Sequence, residues 1–218
     1  MEKDVSYTVV RANTLQDIEE AFSCGLIKLY QDIFSDPPYE EYFSSDDVTS
    51  LFHSYFTSGI SNPLVLFTYL GRQVIAFCTA VPFDEHWVDF EISDFNMAGG
   101  YSPETHGKTI INSCHEYFKR TFDSTPENTW YLDELGVRKD KRRKGIARCL
   151  LQACLTELNS KNVILRTSDS NNQAQLLYQN LGFHHIGGLY TQVSHKRLDG
   201  SVREDLRIIM LRQTEPVE

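Results

Sequence analysis

The stretch Leu132-Asp-Glu-Leu-Gly-Val-Arg-Lys-Asp-Lys-Arg-Arg-Lys-Gly-Ile-Ala147 decides how this chain is read. An apolar strand runs into a short cationic loop containing Gly145. A helix-patterned segment, Ile146 to Leu158, follows at once. Strand, basic turn and helix start together form an anion site. The first amides of a helix have no intrahelical partners, and the helix dipole adds positive potential there. Arg138, Lys139, Lys141, Arg142, Arg143 and Lys144 surround that point, yet the chain's formal charge is −9. A concentrated basic loop in an acidic protein points to a local phosphate ligand and not to a general attraction for polyanions. With no matching recognition module either, nucleic acid is not the expected partner.

The hexapeptide Arg142-Arg-Lys-Gly145-Ile-Ala147 reads Arg-x-x-Gly-x-Ala. It resembles the acyl-CoA-binding signature of the GNAT superfamily of N-acyltransferases. A second segment, Asn171-Asn-Gln-Ala174-Gln-Leu-Leu177-Tyr178-Gln-Asn-Leu-Gly182-Phe183, resembles that family's Asn-x-x-Ala-x-x-Leu-Tyr-x-x-x-Gly-Phe motif. Either match alone is weak. In the right order and at the right distance, with the strand-like Asn162 to Thr167 between them, they reinforce each other. The resemblance is close over residues 129–190 and looser elsewhere. It implies one domain, 1–218, of α/β class: a mixed, mostly antiparallel sheet of about seven strands flanked by helices, with its two central parallel strands splayed. It also implies acetyl-CoA as co-substrate, with no metal.

Composition agrees with a globular fold. Of 218 residues, 41% are hydrophobic and 12% aromatic. No apolar run approaches the ~20 residues that cross a bilayer, and the first residues, Met1 to Ser6, lack an apolar signal region. A cytoplasmic protein without a membrane partner is expected. Five cysteines without Cys-x-x-Cys spacing argue against a disulfide framework and a zinc site. Cys149 and Cys154 read as core residues of the helix after the loop.

Elsewhere the patterning predicts a strand at Tyr7 to Ala12 and a helical region from Asp17 to Phe34 broken at Gly25. Ser45 to Asp47 reads as the cap of a helix running to Phe56. Pro63 to Leu70 and Gln73 to Ala80 read as a hairpin around Gly71-Arg72. Residues 82–102 read as loop and 103–120 as a helix with Pro103 in its first turn. Thr129 to Val137 is the central strand. His185 to Val193 and Leu206 to Leu211 read as closing strands joined at Asp199-Gly200. Of His184 and His185, one is expected to face inward.

Acetyl transfer to an amine needs a rigidly held donor, a hydrogen bond to the developing oxyanion, a neutral amine and a proton for the departing thiolate. The resemblance implies that Arg142, Arg143, Lys144, Gly145, Ile146 and Ala147 hold the pyrophosphate. A side chain at Gly145 would obstruct it. Leu135, Gly136 and Val137 would pair with the pantetheine amides as a neighbouring strand does. Gly136 marks either a bulge that aims an amide at the thioester or a packing glycine. The base falls to Glu134 or Asp133, which strand alternation sends to opposite faces. Glu134 has the longer reach. Tyr178 matches the family's general acid, and a phenol with a pKa near ~10 is protonated at neutral pH. Asn171 reads as a cofactor contact or a helix cap.

The acceptor is less legible. The segments that line it in the family hold Asp36, Tyr39, Glu40, Glu41, Asp84, Glu85, Trp87 and Asp89 here. Carboxylates among aromatics suit a cationic amine, small molecule or protein. An ordinary acidic surface reads the same way. A non-catalytic acyl-CoA sensor would keep the Arg142–Ala147 loop without a strand carboxylate or Tyr178. All three are present, which favours the enzyme. The family resemblance leaves a homodimer open.

Overall fold

A computed structural model describes residues 7–83, 96–97, 123–159 and 161–214. Its strands are β1 (Thr8–Ala12), β2 (Leu64–Leu70), β3 (Gln73–Pro82), β4 (Asn96–Met97), β5 (Thr129–Val137), β6 (Asn162–Ser168), β7 (His184–Lys196) and β8 (Val202–Arg212). Its α-helices are α1 (Leu15–Ser23), α2 (Leu26–Phe34), α3 (Ser45–Thr57), α4 (Ile146–Glu157) and α5 (Asn172–Gln179). The eighth strand, beyond the seven expected, is the two-residue β4. The predicted helix 103–120 lies outside the described residues. No helix among them is long and apolar enough to cross a membrane.

The described residues fall into two compact units. The first takes residues up to Val81, Asp133–Glu157 and Lys196–Ser201; the second takes the rest. In the first, strands lie in the order β1-β2-β3-β5. β1 and β2 are antiparallel, as are β2 and β3, with Phe67 opposite Phe77 and Leu66 opposite Cys78. Side chains alternate along a strand, so Phe77 and Cys78 face opposite ways. Phe77 stacks on Tyr30 of α2 at 5.5 Å and meets Phe52 of α3 edge-on at 5.9 Å. The Cys78 thiol instead meets Cys154 of α4, and that hydrogen bond, with burial, pushes it well above its usual pKa. Helices α2 and α3 therefore cover one face of this sheet and α4 the other.

Local chemistry sets the helix ends. At α1, the Thr14 hydroxyl accepts the Asp17 amide at 3.3 Å and the Asp17 carboxylate accepts the Thr14 amide at 2.9 Å, a reciprocal capping box. Gly25, with φ +95°, separates α1 from α2 as its position in the apolar pattern predicts. At α3 the cap is Ser44, one residue earlier than expected, and Asp47 serves as the reciprocal acid. The run of polar residues 44–47 offers several caps, and only the three-residue Ser44–Asp47 spacing closes the box.

Helix α4 buries Ile146, Leu150, Leu151 and Cys154. Cys149 is exposed, contrary to the core role expected of it. It sits with Arg148 and Gln152 on the solvent side, so the outer stripe is wider than the polar residues alone mark.

In the second unit the strand order is β5-β6-β8-β7-β4. β5 and β6 are parallel from Thr129 opposite Asn162 to Leu132 opposite Leu165. That register ends there, while β5 continues to Val137 and β6 to Ser168. β6 and β8 are antiparallel from Val163–Arg212 to Ser168–Arg207. The mixed, mostly antiparallel sheet with one parallel pair is the fold class expected. His184 and His185 are both exposed, so neither faces inward as predicted.

Candidate active site

The loop leaves β5 immediately after Val137. The Arg138 amide still donates to the Ile75 carbonyl at 2.9 Å, and Lys139–Lys141 then make one tight turn. Arg143 and Gly145 adopt positive φ, +61° and +80°. A Cβ at Gly145 would meet nothing within 4 Å, so glycine serves the backbone conformation and leaves its outer side open. The first α4 bond runs from the Cys149 amide to the Gly145 carbonyl at 2.9 Å. The amides of Ile146, Ala147 and Arg148 precede it and lie outside the intrahelical ladder. The structure thus places Gly145 at a helix start, as the sequence requires.

The six cations are not equivalent. Arg138 forks onto Asp140 at 2.7 and 3.2 Å, and Lys141 lies 3.5 Å from the same carboxylate. Lys139 reaches Asp36 at 3.1 Å. Arg142 donates from Nε to the Val137 carbonyl at 3.1 Å and lies 3.6 Å from Asp36. It ties the loop back to the end of its strand. Arg143 and Lys144 are exposed and form no ion pair among the described residues. Four loop cations share the two carboxylates Asp36 and Asp140, and two more project beside open amides, so the loop keeps a positive excess. That pattern fits a pyrophosphate, which needs convergent N–H donors and nearby positive charge.

Asp133 and Glu134 lie on the same β5, one turn of chain before the loop. Strict alternation separates them, but both are held from the α2–α3 side. The Tyr30 hydroxyl donates to Glu134 Oε1 at 2.9 Å, and the Tyr55 hydroxyl donates to Asp133 Oδ2 at 2.5 Å. The Glu134 amide donates to the Thr79 hydroxyl at 3.1 Å. Both carboxylates are half-buried. Burial, and then the charges of the two carboxylates, push both phenols well above 10. Tyr30 and Tyr55 therefore stay protonated and act as hydrogen-bond donors to the carboxylates.

Gly136 also has a packing reason. A Cβ there would lie 2.4 Å from Phe77 Cζ and 2.8 Å from Ile33 Cδ1. The close approach is by this chain's own aromatic layer. Leu135 is half-buried; Val137 is buried.

In the second unit, Tyr178 on α5 is 8% exposed and meets Phe183 edge-on at 5.7 Å. Asn171 caps α5, its side chain accepting the Ala174 amide at 3.2 Å. Among the acceptor candidates, Asp36 serves the basic loop, Glu40 pairs with Arg197, Glu41 is buried and Tyr39 packs on Phe34 at 5.4 Å. Asp84, Glu85, Trp87 and Asp89 lie outside the described residues. Sequence reasoning missed Tyr30, Tyr55 and Thr79, which carry no local signal of a role on β5.

A strand running into a basic loop and a helix start, beside half-buried carboxylates, can hold an anionic group next to side chains that accept protons. The model of the acetyltransferase (GNAT) family matches residues 25–183, well over half the chain. The chain belongs to that family and is an acetyltransferase. The fold is similar to that of the ribosomal-protein-S18-alanine N-acetyltransferase from Escherichia coli, with TM-score 0.57 and 16% identity over 98% of this chain and 97% of that one. It is also similar to a putative acetyltransferase from Acinetobacter baylyi ADP1 (TM-score 0.60, 14% identity, 97% and 95% covered). An N-acetyltransferase from Staphylococcus aureus Mu50 gives TM-score 0.54 and 16% identity, with 95% and 98% covered. No curated protein matches the sequence.

Proposed function

We propose that this protein is a single-domain enzyme that moves an acetyl group from acetyl-CoA to a primary amine by direct attack in a ternary complex. The observation that carries the reading is Gly145 at positive φ at the start of α4, with open space beside it and Arg143 and Lys144 exposed. Acetyl-CoA supplies the activated acyl group. Arg142, Arg143, Lys144, Gly145, Ile146 and Ala147 hold its diphosphate. The backbone of Leu135, Gly136 and Val137 aligns its pantetheine. Glu134 or Asp133 takes the amine proton. Tyr178 protonates the departing thiolate, an assignment that rests on its place in the Asn171–Phe183 motif. Asn171 caps α5 and stands as a candidate cofactor contact beside that role.

Two amine classes merit testing first. A cationic small molecule is suggested by the carboxylates of β5. A protein α-amine is suggested by the alanine N-acetyltransferases among the structural neighbours. A thiol-release assay with acetyl-CoA and a panel of spermidine, kanamycin and a peptide with N-terminal alanine tests the reading. Turnover is expected with at least one amine. Arg142→Ala is expected to raise the KM for acetyl-CoA about 10-fold or more, the scale of a lost charge-assisted hydrogen bond. Saturable acetyl-CoA binding without turnover on any amine would instead establish a sensor.

A further inference from the structure

The hydrogen bonds around Asp133 have a fixed polarity. Tyr55 has one hydroxyl proton, and it goes to Asp133 Oδ2. The Tyr55 oxygen also lies 3.0 Å from Thr79 Oγ1. Since Tyr55 has already spent its proton, Thr79 donates in that contact. Thr79 in turn accepts the Glu134 amide. The chain therefore runs from the Glu134 amide through the Thr79 and Tyr55 hydroxyls to the Asp133 carboxylate. Tyr30 separately holds the Glu134 side chain.

Both phenols are anchored by the core. Tyr30 is 1% exposed and lies against Phe34, Phe43, Phe52 and Phe77. Tyr55 is fully buried and meets Phe52 edge-on at 5.9 Å. A buried hydroxyl costs free energy unless it is bonded. Here the bonds converge on two half-buried carboxylates of one strand. A packing role alone is filled as well by phenylalanine.

We propose that Tyr55 and Tyr30 are positioning residues for acetyl transfer: Tyr55, braced by Thr79, fixes Asp133, and Tyr30 fixes Glu134, so that the carboxylate that receives the amine proton keeps one orientation. This rests on the reading of Asp133 and Glu134 as the candidate bases. Neither tyrosine accepts a proton. Each removes conformations in which a β5 carboxylate turns away from the acceptor, which is preorganisation through a supporting residue.

Steady-state kinetics of Tyr55→Phe and Tyr30→Phe test this, using the panel amine with the highest turnover. The variant that braces the base is expected to lose about 10-fold or more in kcat, on the scale of a hydrogen bond to a charged group. Its KM for acetyl-CoA stays unchanged. The acidic limb of its pH–rate profile moves upward, since a carboxylate stripped of a donor holds its proton more tightly. The double variant with the matching carboxamide, Tyr55→Phe/Asp133→Asn or Tyr30→Phe/Glu134→Gln, is expected to lose no more than the carboxamide alone. Thr79→Val and Thr79→Ser provide a check that spares the aromatic core, with loss in the first and retention in the second. Wild-type kcat and pH profile in both Phe variants, alongside an impaired Asp133→Asn or Glu134→Gln, overturns the proposal and leaves the base reading intact. Full activity in both single carboxamides and in their double variant overturns the base reading itself.

Discussion

Asp133→Asn/Glu134→Gln is expected to lower kcat by roughly 10²–10⁴-fold, the range that positioned general bases contribute. Alkylamines are mostly protonated at neutral pH, so attack on the thioester waits on removal of a proton. Carboxamides preserve the size of both side chains and remove their capacity to accept it. The affinity for acetyl-CoA should stay within a few-fold of wild type, because the diphosphate is assigned to the loop after Val137. Rapid-quench or thiol-release kinetics with equilibrium binding separate the two quantities. The single variants identify the base: the larger loss marks it, and the lesser loss marks the neighbour. Unchanged turnover in the double variant contradicts the assignment.

The second large effect is on stability. Gly136→Ala is expected to destabilise the fold by about 1–3 kcal/mol, the usual cost of overpacking a core. Replacing a strand glycine ordinarily favours folding by reducing the freedom of the unfolded chain. The sign reverses here because the new methyl would meet Phe77 Cζ at 2.4 Å. Phe77 has no easy retreat: it is fully buried, stacked on Tyr30 and edge-on to Phe52. At roughly 2–4 °C per kcal/mol for a chain of this size, the melting temperature falls measurably. Any shift of Phe77 is transmitted to Tyr30, and hence to Glu134, so kcat falls with stability. A melting temperature equal to or above wild type would show that the aromatic layer yields freely.

Much of the architecture was readable because its causes are local. Gly25 splits α1 from α2, the Gly71 hairpin joins β2 to β3, and the cationic turn feeds α4, each within a few residues of its determinants. The loop's turn and the helix start at Gly145 were legible for the same reason. The support of the carboxylates was not. Tyr55 reaches Asp133 across 78 positions and Tyr30 reaches Glu134 across 104. Alternation places neighbouring strand residues but does not say which distant hydroxyls reach them; the Thr79 hydroxyl that takes the Glu134 amide is remote in sequence, like the two tyrosines. Cys149 was misassigned because an apolar residue type does not reveal which side of a helix the sheet covers. Exposure of Arg148, Cys149 and Gln152 comes from the packing of α4, not from composition. Asp36 read either as an acceptor-side carboxylate or as ordinary acidic surface, and its pairing with Lys139 and Arg142, more than 100 positions away, was not legible.

Backbone hydrogen exchange with and without acetyl-CoA tests the central claim most directly, because the ligand is assigned to amides before any side chain. Amides of Arg143 to Arg148, which precede the first intrahelical bond of α4, should exchange more slowly when acetyl-CoA is bound. Gly145→Val should abolish that protection. Protection confined to other segments, with residues 143–148 exchanging at the free rate, would contradict the account.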